Sequence, residues 1–219
     1  MSADAIEKYV RAVRLLTGDG VPKDERAGYE LLVEASNAGV ADAAYEAAQC
    51  LRLGRGVSPD AKLAYGFYRV AAQAGHAQAA FSAALLLGQG VLGQPEPEKA
   101  AELYGIAAAA GHAAAAHNLG VMFARGVGRE PDAAAARDWM TRAVNLGFDQ
   151  ALFSLGLLVL LGGPGLPPDP IEALKWALLS QRRDPGGPGG KLAERAAPML
   201  DEDGRAEARR RADAWTPKA

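Results

Sequence analysis

Three histidines, one cysteine and two glycine-rich stretches are the residues of this chain whose types could do chemistry. His112 and His117 stand five residues apart, whereas imidazoles sharing a metal from one helix stand at i and i+4 and face one way. That spacing favours packing over a metal. Cys50 would need a neighbouring base and an orienting group to act as a nucleophile, and no histidine lies near it in sequence. It reads as a structural thiol. Gly88-Gln89-Gly90-Val91-Leu92-Gly93 has the spacing of a dinucleotide-binding fingerprint, in which glycines after a β-strand bring a pyrophosphate to a helix N-terminus. Here a helical pattern precedes it, so a turn is the better reading. Gly189-Gly190-Lys191-Leu192 is like the end of a phosphate loop, but Pro185 replaces the first glycine and Leu192 the Ser or Thr. No carboxylate pair stands apart from acidic residues at helix starts. The expectation is a protein without catalytic residues, cofactor or metal.

The elements that must hold these residues are rich in alanine. Of 219 residues, 49% are hydrophobic, 48 are alanine and 6% are aromatic, a mixture that suggests helices approaching each other closely. A disordered chain would carry less apolar material, and a disulfide-stapled secreted domain would carry more than one cysteine. The longest apolar run, Leu155 to Leu161, falls short of the ~18 residues of a membrane span. Net charge is −2, from 24 basic and 26 acidic residues, which points away from nucleic acid and anionic membranes. Met1 to Leu16 is amphipathic and lacks the uninterrupted apolar stretch and cleavage site of a secretory signal. A cytoplasmic protein is expected.

The organising feature is a 36-residue period. Gly39, Gly75, Gly111 and Gly147 keep this step, as do Gly18, Gly54, Gly90, Gly126 and Gly162. Acidic residues follow it at Asp24, Asp60, Glu96 and Asp132, and large ones at Leu31, Phe67, Leu103 and Trp139. Tyr9, Tyr45, Phe81, His117 and Phe153 form an aromatic-type series. His76 and His112 also stand one period apart, so their recurrence belongs to the repeat. The register slips by one in Gly163-Pro164-Gly165-Leu166-Pro167-Pro168 and resumes at Asp169 and Trp176. Each unit reads as two helices. First helices are expected near 4–17, 41–53, 77–89, 113–125 and 149–161, and second helices near 24–37, 60–73, 96–109, 132–145 and 169–182. A glycine such as Gly54 can close a first helix in the left-handed conformation, and an acid such as Asp60 can cap the second. Tyr45, Leu51, Phe67 and Val70 are expected to fill gaps between helix pairs. No single pair buries its apolar face alone, so the units must stack.

The stretch from Ala115-Ala116-His117-Asn118-Leu119-Gly120 through Gly126-Val127-Gly128, continued by Asp132, Ala136, Trp139-Met140, Ala143 and Gly147, resembles a Sel1-like repeat. The resemblance covers residues from about 3 to 184; the glycine beside leucine persists as Gly120 and Gly156 but is Ala12, Ala48 and Ala84 elsewhere. It implies an all-α, right-handed α/α superhelical solenoid related to tetratricopeptide arrays. Five helix-turn-helix repeats are expected near 3–38, 39–74, 75–110, 111–146 and 147–184. Non-enzymatic scaffolds and adaptors are what the resemblance implies.

Residues 185–219 read as a Gly/Pro linker followed by capping helices over Leu192 to Leu200 and Arg205 to Trp215. Arg209-Arg210-Arg211 reads as a solvated face, since residues 201–219 balance five acidic against five basic side chains. The remaining candidate is a surface. In such arrays the first helices line a concave side, where the register places Asp42, Glu46, Gln49, Gln78, Ser82, Gln89, Asn118, Arg125, Gln150 and Ser154, with Met122 and Leu86 as apolar additions. Few of these are charged, which suits a peptide or helical segment of another protein. The expected function is a protein-binding adaptor or scaffold, monomeric and without nucleic-acid or membrane partners. A regulatory or inhibitory protein gripping one target is the alternative, and a cell-wall-compound binder or enzyme a weaker third reading.

Overall fold

The computed structural model describes residues 2–217; Met1, Lys218 and Ala219, at the ends of the segments expected above, lie outside them. The described residues are all-α. The chain divides into two compact units, Met1–Ala110 and Gly111–Ala219. The first holds α1 (Ala3–Thr17), α2 (Glu25–Asn37), α3 (Ala41–Leu53), α4 (Ala61–Gln73), α5 (Ala77–Gly88) and α6 (Pro97–Ala109). The second holds α7 (Ala113–Arg125), α8 (Ala133–Asn145), α9 (Gln150–Leu161), α10 (Pro170–Arg183), α11 (Gly189–Ala196) and α12 (Glu202–Ala214). Within each unit helices pair as α/α hairpins and stack on their neighbours, as in an α-solenoid. No described helix is long and apolar enough to cross a membrane.

The periodic residues set the helix boundaries. Asp24, Asp60, Asp132 and Asp169 each accept the N–H of the residue three further on, at 2.9–3.0 Å, satisfying a donor the helix leaves unpaired. Glu96 occupies the same place but makes no cap bond; its longer side chain pairs with Lys99 instead. Gly54 closes α3 at φ 71°, donating its N–H to Cys50, a conformation that costs other residues a steric penalty. α5 ends one residue before its expected limit, at Gly88, and Gly90 takes the positive φ.

Alanine lets the pairs close. Ala43, Ala79, Ala115 and Ala151, one in each repeat from the second to the fifth, have no exposed surface. In the second unit glycine tightens the seam further. A Cβ on Gly120 would sit 2.8 Å from Met140 Cγ and 3.1 Å from the Ala136 carbonyl oxygen. Tyr45 and Phe67 are half-buried and Leu51 is buried, as expected. Val70, expected to fill a gap, is 48% exposed; Tyr68, two residues earlier, takes the inner position and is fully buried.

Repeats join through their turns. A Cβ on Gly56 would lie 2.1 Å from the Glu25 carbonyl oxygen, and Arg55 donates from Nη2 to the Leu16 carbonyl at 3.1 Å. At the register slip, Gly163 and Leu166 exchange backbone hydrogen bonds, and the Pro164 carbonyl accepts from Ala133 N at 2.9 Å. The extra residue is absorbed in a small turn that still lies on the N-terminus of α8.

The tail departs from expectation at its start. The Gly/Pro cluster was expected to exclude helix as far as Gly190, yet α11 begins at Gly189. A Cβ there would lie 2.6 Å from Gln181 N and 2.9 Å from the Ala177 carbonyl oxygen, so glycine is what permits α11 to lie against α10. Leu192 is buried, and its Cδ2 lies 2.7 Å from where a Cβ on Gly156 would be. The helix stops at Ala196, followed by a short 3₁₀ turn through Pro198, which has no N–H to continue the ladder. The last helix starts at Glu202, before the expected Arg205, because the Asp201 carboxylate accepts the Gly204 N–H at 2.8 Å. Trp215 meets the buried Trp176 edge-on, with centroids 5.7 Å apart.

Candidate interaction surface

Each first helix carries side chains at register positions that stacking does not consume. In the first unit these build a hydrogen-bonded lattice around Gln49. Its Oε1 accepts from Tyr68 Oη at 2.8 Å and from Arg52 Nε at 2.9 Å, and its Nε2 donates to Tyr45 Oη at 2.7 Å. Burial pushes the Tyr68 phenol up, so it stays protonated as the donor. The lattice floors a groove of about 280 Å³ lined also by Gln78, Phe81, Ser82, Leu85, Leu86 and Gln89.

His76 begins α5. Its Nδ1 accepts the Ala79 N–H at 3.1 Å, and its Nε2 lies 3.5 Å from Asp42 Oδ1. The ring stacks on Tyr45, centroids 4.6 Å apart and planes within 18°. An accepting Nδ1 places the proton on Nε2, where it faces the carboxylate. Burial raises the Glu46 carboxyl, opposed by Arg55 and His76. Cys50 is buried and its thiol is pushed up to about 11 by desolvation. A thiol so protonated is a poor nucleophile.

In the second unit His112 caps α7 through Nδ1 in the same way, at 3.2 Å from Ala115 N. His117 Nε2 lies 3.0 Å from Ser154 Oγ, and its ring is tilted against Phe148 at 5.2 Å. Burial lowers both imidazoles; the Asn118 side chain, hydrogen-bonded to His117, opposes that shift. Beside this pair lies a groove of about 360 Å³. Val121 and Arg125 of α7 form one wall, Phe153, Leu157, Leu158 and Leu161 of α9 another, with Met140 between. On the second helices of the same unit, a charged cleft of about 840 Å³ includes Arg137, Asp169, Glu172, Lys175, Trp176 and Trp215. Its charges are largely matched: Lys175 and Glu172 lie 2.7 Å apart, and Arg211 lies 3.6 Å from Glu172.

The residues singled out from the sequence fall into separate groups. Gln49, Gln78, Ser82 and Gln89 meet in the first groove, whereas Arg125 and Ser154 meet in the second. Asp42 lies by His76; Gln150 lines a smaller cleft with Asp149 and Arg183. Asp42, Gln78, Gln89, Arg125 and Gln150 are exposed, while Glu46, Gln49, Asn118, Met122 and Ser154 are half-buried. Sequence reasoning missed Arg52, Tyr68, Leu157 and Leu161. A signal existed for Leu157, which keeps register with Gln49, Leu85 and Val121. Tyr68 sits on a second helix, and only packing reveals that it reaches Gln49. Among the described residues no three His, Cys, Asp or Glu side chains converge as a metal site.

The Sel1 repeat pattern matches residues 9–40, 41–76, 77–112, 113–148 and 149–180. A solved Sel1 repeat protein from Oxalobacter formigenes is similar, with 24% identity and a TM-score of 0.75 over 83% of this chain and 76% of that one. The protective antigen c5321 of uropathogenic Escherichia coli strains, which displays an SLR fold, aligns with 96% of this chain and 60% of its own at 18% identity and TM-score 0.49. The immunity protein Pa5087 from Pseudomonas aeruginosa aligns with 99% of this chain and 86% of its own, at 17% identity and TM-score 0.47. The first of these likenesses shows the fold. Comparison with curated proteins gives no match.

Proposed function

The chain belongs to the Sel1 repeat family, whose repeats typically serve protein–protein interaction, and from that membership we propose a non-enzymatic adaptor or scaffold that holds a segment of another protein on its first-helix faces. One observation carries the reading. From the second repeat to the fifth, positions consumed by stacking recur unchanged, as in the fully buried series Ala43, Ala79, Ala115 and Ala151. Positions on the first-helix face change from repeat to repeat: Glu46, Ser82, Asn118 and Ser154 in one register, Gln49, Leu85, Val121 and Leu157 in another. Side chains released from the stacking constraint are free to be matched to a partner. The proposed contact set is Asp42, Glu46, Gln49, Gln78, Ser82 and Gln89 in the first unit, and Asn118, Met122, Arg125, Gln150 and Ser154 in the second. Gln49 acts there through its lattice, since its amide is already hydrogen-bonded.

A photo-crosslinking amino acid placed at Gln89, the exposed cap of α5, or at Gln150, exposed at the start of α9, should give discrete protein adducts in host cells. The same probe at Lys62 or Arg137, exposed on second helices, should not. Adducts arising only from Lys62 or Arg137 would overturn the proposal.

A further inference from the structure

We propose that the groove between α7 and α9 seats an acidic amphipathic helix, a partner segment with leucine-type anchors at i, i+3 or i+4, and i+7 and a carboxylate that meets Arg125. The proposal deepens the adaptor reading and rests on it. Phe153, Leu157 and Leu161 lie four residues apart on α9 and all line the groove, so they form a stripe of about two helical turns, roughly 12 Å. Leu161 is 59% exposed; packing within the chain leaves most of it uncovered. Val121 and Arg125, one turn apart on α7, face this stripe across the groove.

The charge at the mouth indicates which helix fits. Arg125 is exposed, and among the described residues no carboxylate lies within ion-pair distance of it. Arg137, Arg182 and Arg210 of this unit pair with Asp138, Asp213 and Glu207, whereas Arg125, the cation that lines this groove, pairs with none of the described carboxylates. An apolar stripe with one unmatched cation at its end calls for apolar anchors followed by an acid.

The shape of the partner follows from what the groove lacks and what closes its far end. Strand addition requires an open sheet edge, and the described residues form no strand. A simple alkyl carboxylate anchored at Arg125 would run its tail towards the Ser154–His117 pair and offer those polar groups no further hydrogen bond. A helix can present a hydroxyl or amide side chain at that point.

The probe is a fluorescein-labelled peptide of about 18 residues, long enough to be partly helical in water, with leucines at i, i+3 and i+7 and a glutamate one turn beyond. Saturable binding below about 1 mM is expected, read by anisotropy. Leu161→Ser, at an exposed site whose fold is checked by circular dichroism, should weaken binding about tenfold. Arg125→Glu should weaken it about fivefold, and a lysine-for-glutamate peptide should regain that loss on the Arg125→Glu protein but not on wild type. The proposal is overturned if the peptide does not bind wild type, or binds both variants equally well. It is also overturned if laurate saturates the groove while the peptide does not bind, or if sedimentation shows a dimer of this chain that Leu161→Ser dissolves. Crosslinks from Gln89 or Gln150 without peptide binding would leave the adaptor reading standing and remove this one. Loss of both would remove both.

Discussion

At one point of the register the two units solve the same packing problem with opposite chemistry. In the first, Gln49 of α3 and Tyr68 of α4 meet through a 2.8 Å hydrogen bond. One and two repeats further on, the same places are held by Leu85 and Tyr104, then by Val121 and Met140. Val121 and Met140 in the second unit share an apolar groove, and Met140 fills the space that Gly120 leaves open. A buried hydroxyl is tolerated only with its partner, whereas an apolar pair needs none. Along the series leucine replaces glutamine first, at Leu85, while the tyrosine persists as Tyr104, and both places are apolar only at Val121 and Met140; the skeleton around them stays the same. What differs is the surface offered outwards: amide, phenol and carboxylate in the first unit, aliphatic side chains and one cation in the second.

The largest expected effect tests whether the skeleton is indeed common. Ala79→Leu in the first unit and Ala115→Leu in the second each insert a large side chain at a position with no exposed surface. Overpacking should cost about 1–3 kcal/mol in each, read by urea unfolding. Near-equal losses sharpen the comparison; a wild-type midpoint for either variant breaks it, because the register would then be wrong.

Next comes the exchange itself. Gln49→Val removes the 2.8 Å acceptor of the fully buried Tyr68 hydroxyl and leaves it Arg52 and Ser82 as neighbours, which should cost about 1 kcal/mol. Adding Tyr68→Met, the residue at the second unit's equivalent place, should recover part of that loss. A double-mutant cycle is expected to show coupling of about 1 kcal/mol. Additive losses would mean the two lattices are not interchangeable.

The period made much of this legible in advance. Helix limits followed from Gly54 and Asp60 and their equivalents, because one residue at each end satisfies or closes the backbone. The tail was read less well: Gly189 counts as a helix breaker by propensity, and only the 2.6 Å approach to Gln181 N shows why it starts a helix. The surface was half legible. Register placed Ser82, Gln89, Arg125 and Ser154 on first helices, but grooves also take side chains from second helices, and Tyr68 and Met140 came from there. A one-dimensional period has no term for contacts between the two helices of a hairpin.

A smaller effect separates seam from outer face. Gly66 is exposed in α4, and a Cβ on it would meet nothing within 4 Å. Gly66→Ala should therefore raise stability by about 0.5–1 kcal/mol through helix propensity and a less flexible unfolded chain. Gly120→Ala gains the same propensity but drives a Cβ to 2.8 Å from Met140, so it should lower the thermal midpoint. If both variants move the midpoint in one direction, the seam in the second unit is looser than its glycine indicates.

The smallest effect is a slope with pH, and it belongs to the second unit. His112 and His117 are both held below the ordinary imidazole value of 6.5 by burial. Between the lowered folded value and 6.5, the unfolded chain binds protons that the folded chain refuses, so stability falls as pH falls. The contribution is complete above 6.5 and is lost progressively below it. Protonation of His112 also fills Nδ1, the atom that accepts the Ala115 N–H, so the cap of α7 is lost with the same proton. His112→Asn keeps a capping side chain, and His117→Phe restores the aromatic type of its register. The double variant should flatten the dependence of the thermal midpoint between pH 7.5 and 5.5, a range of about two units around the imidazole value. An unchanged slope would assign the titration to groups outside the second unit's first helices.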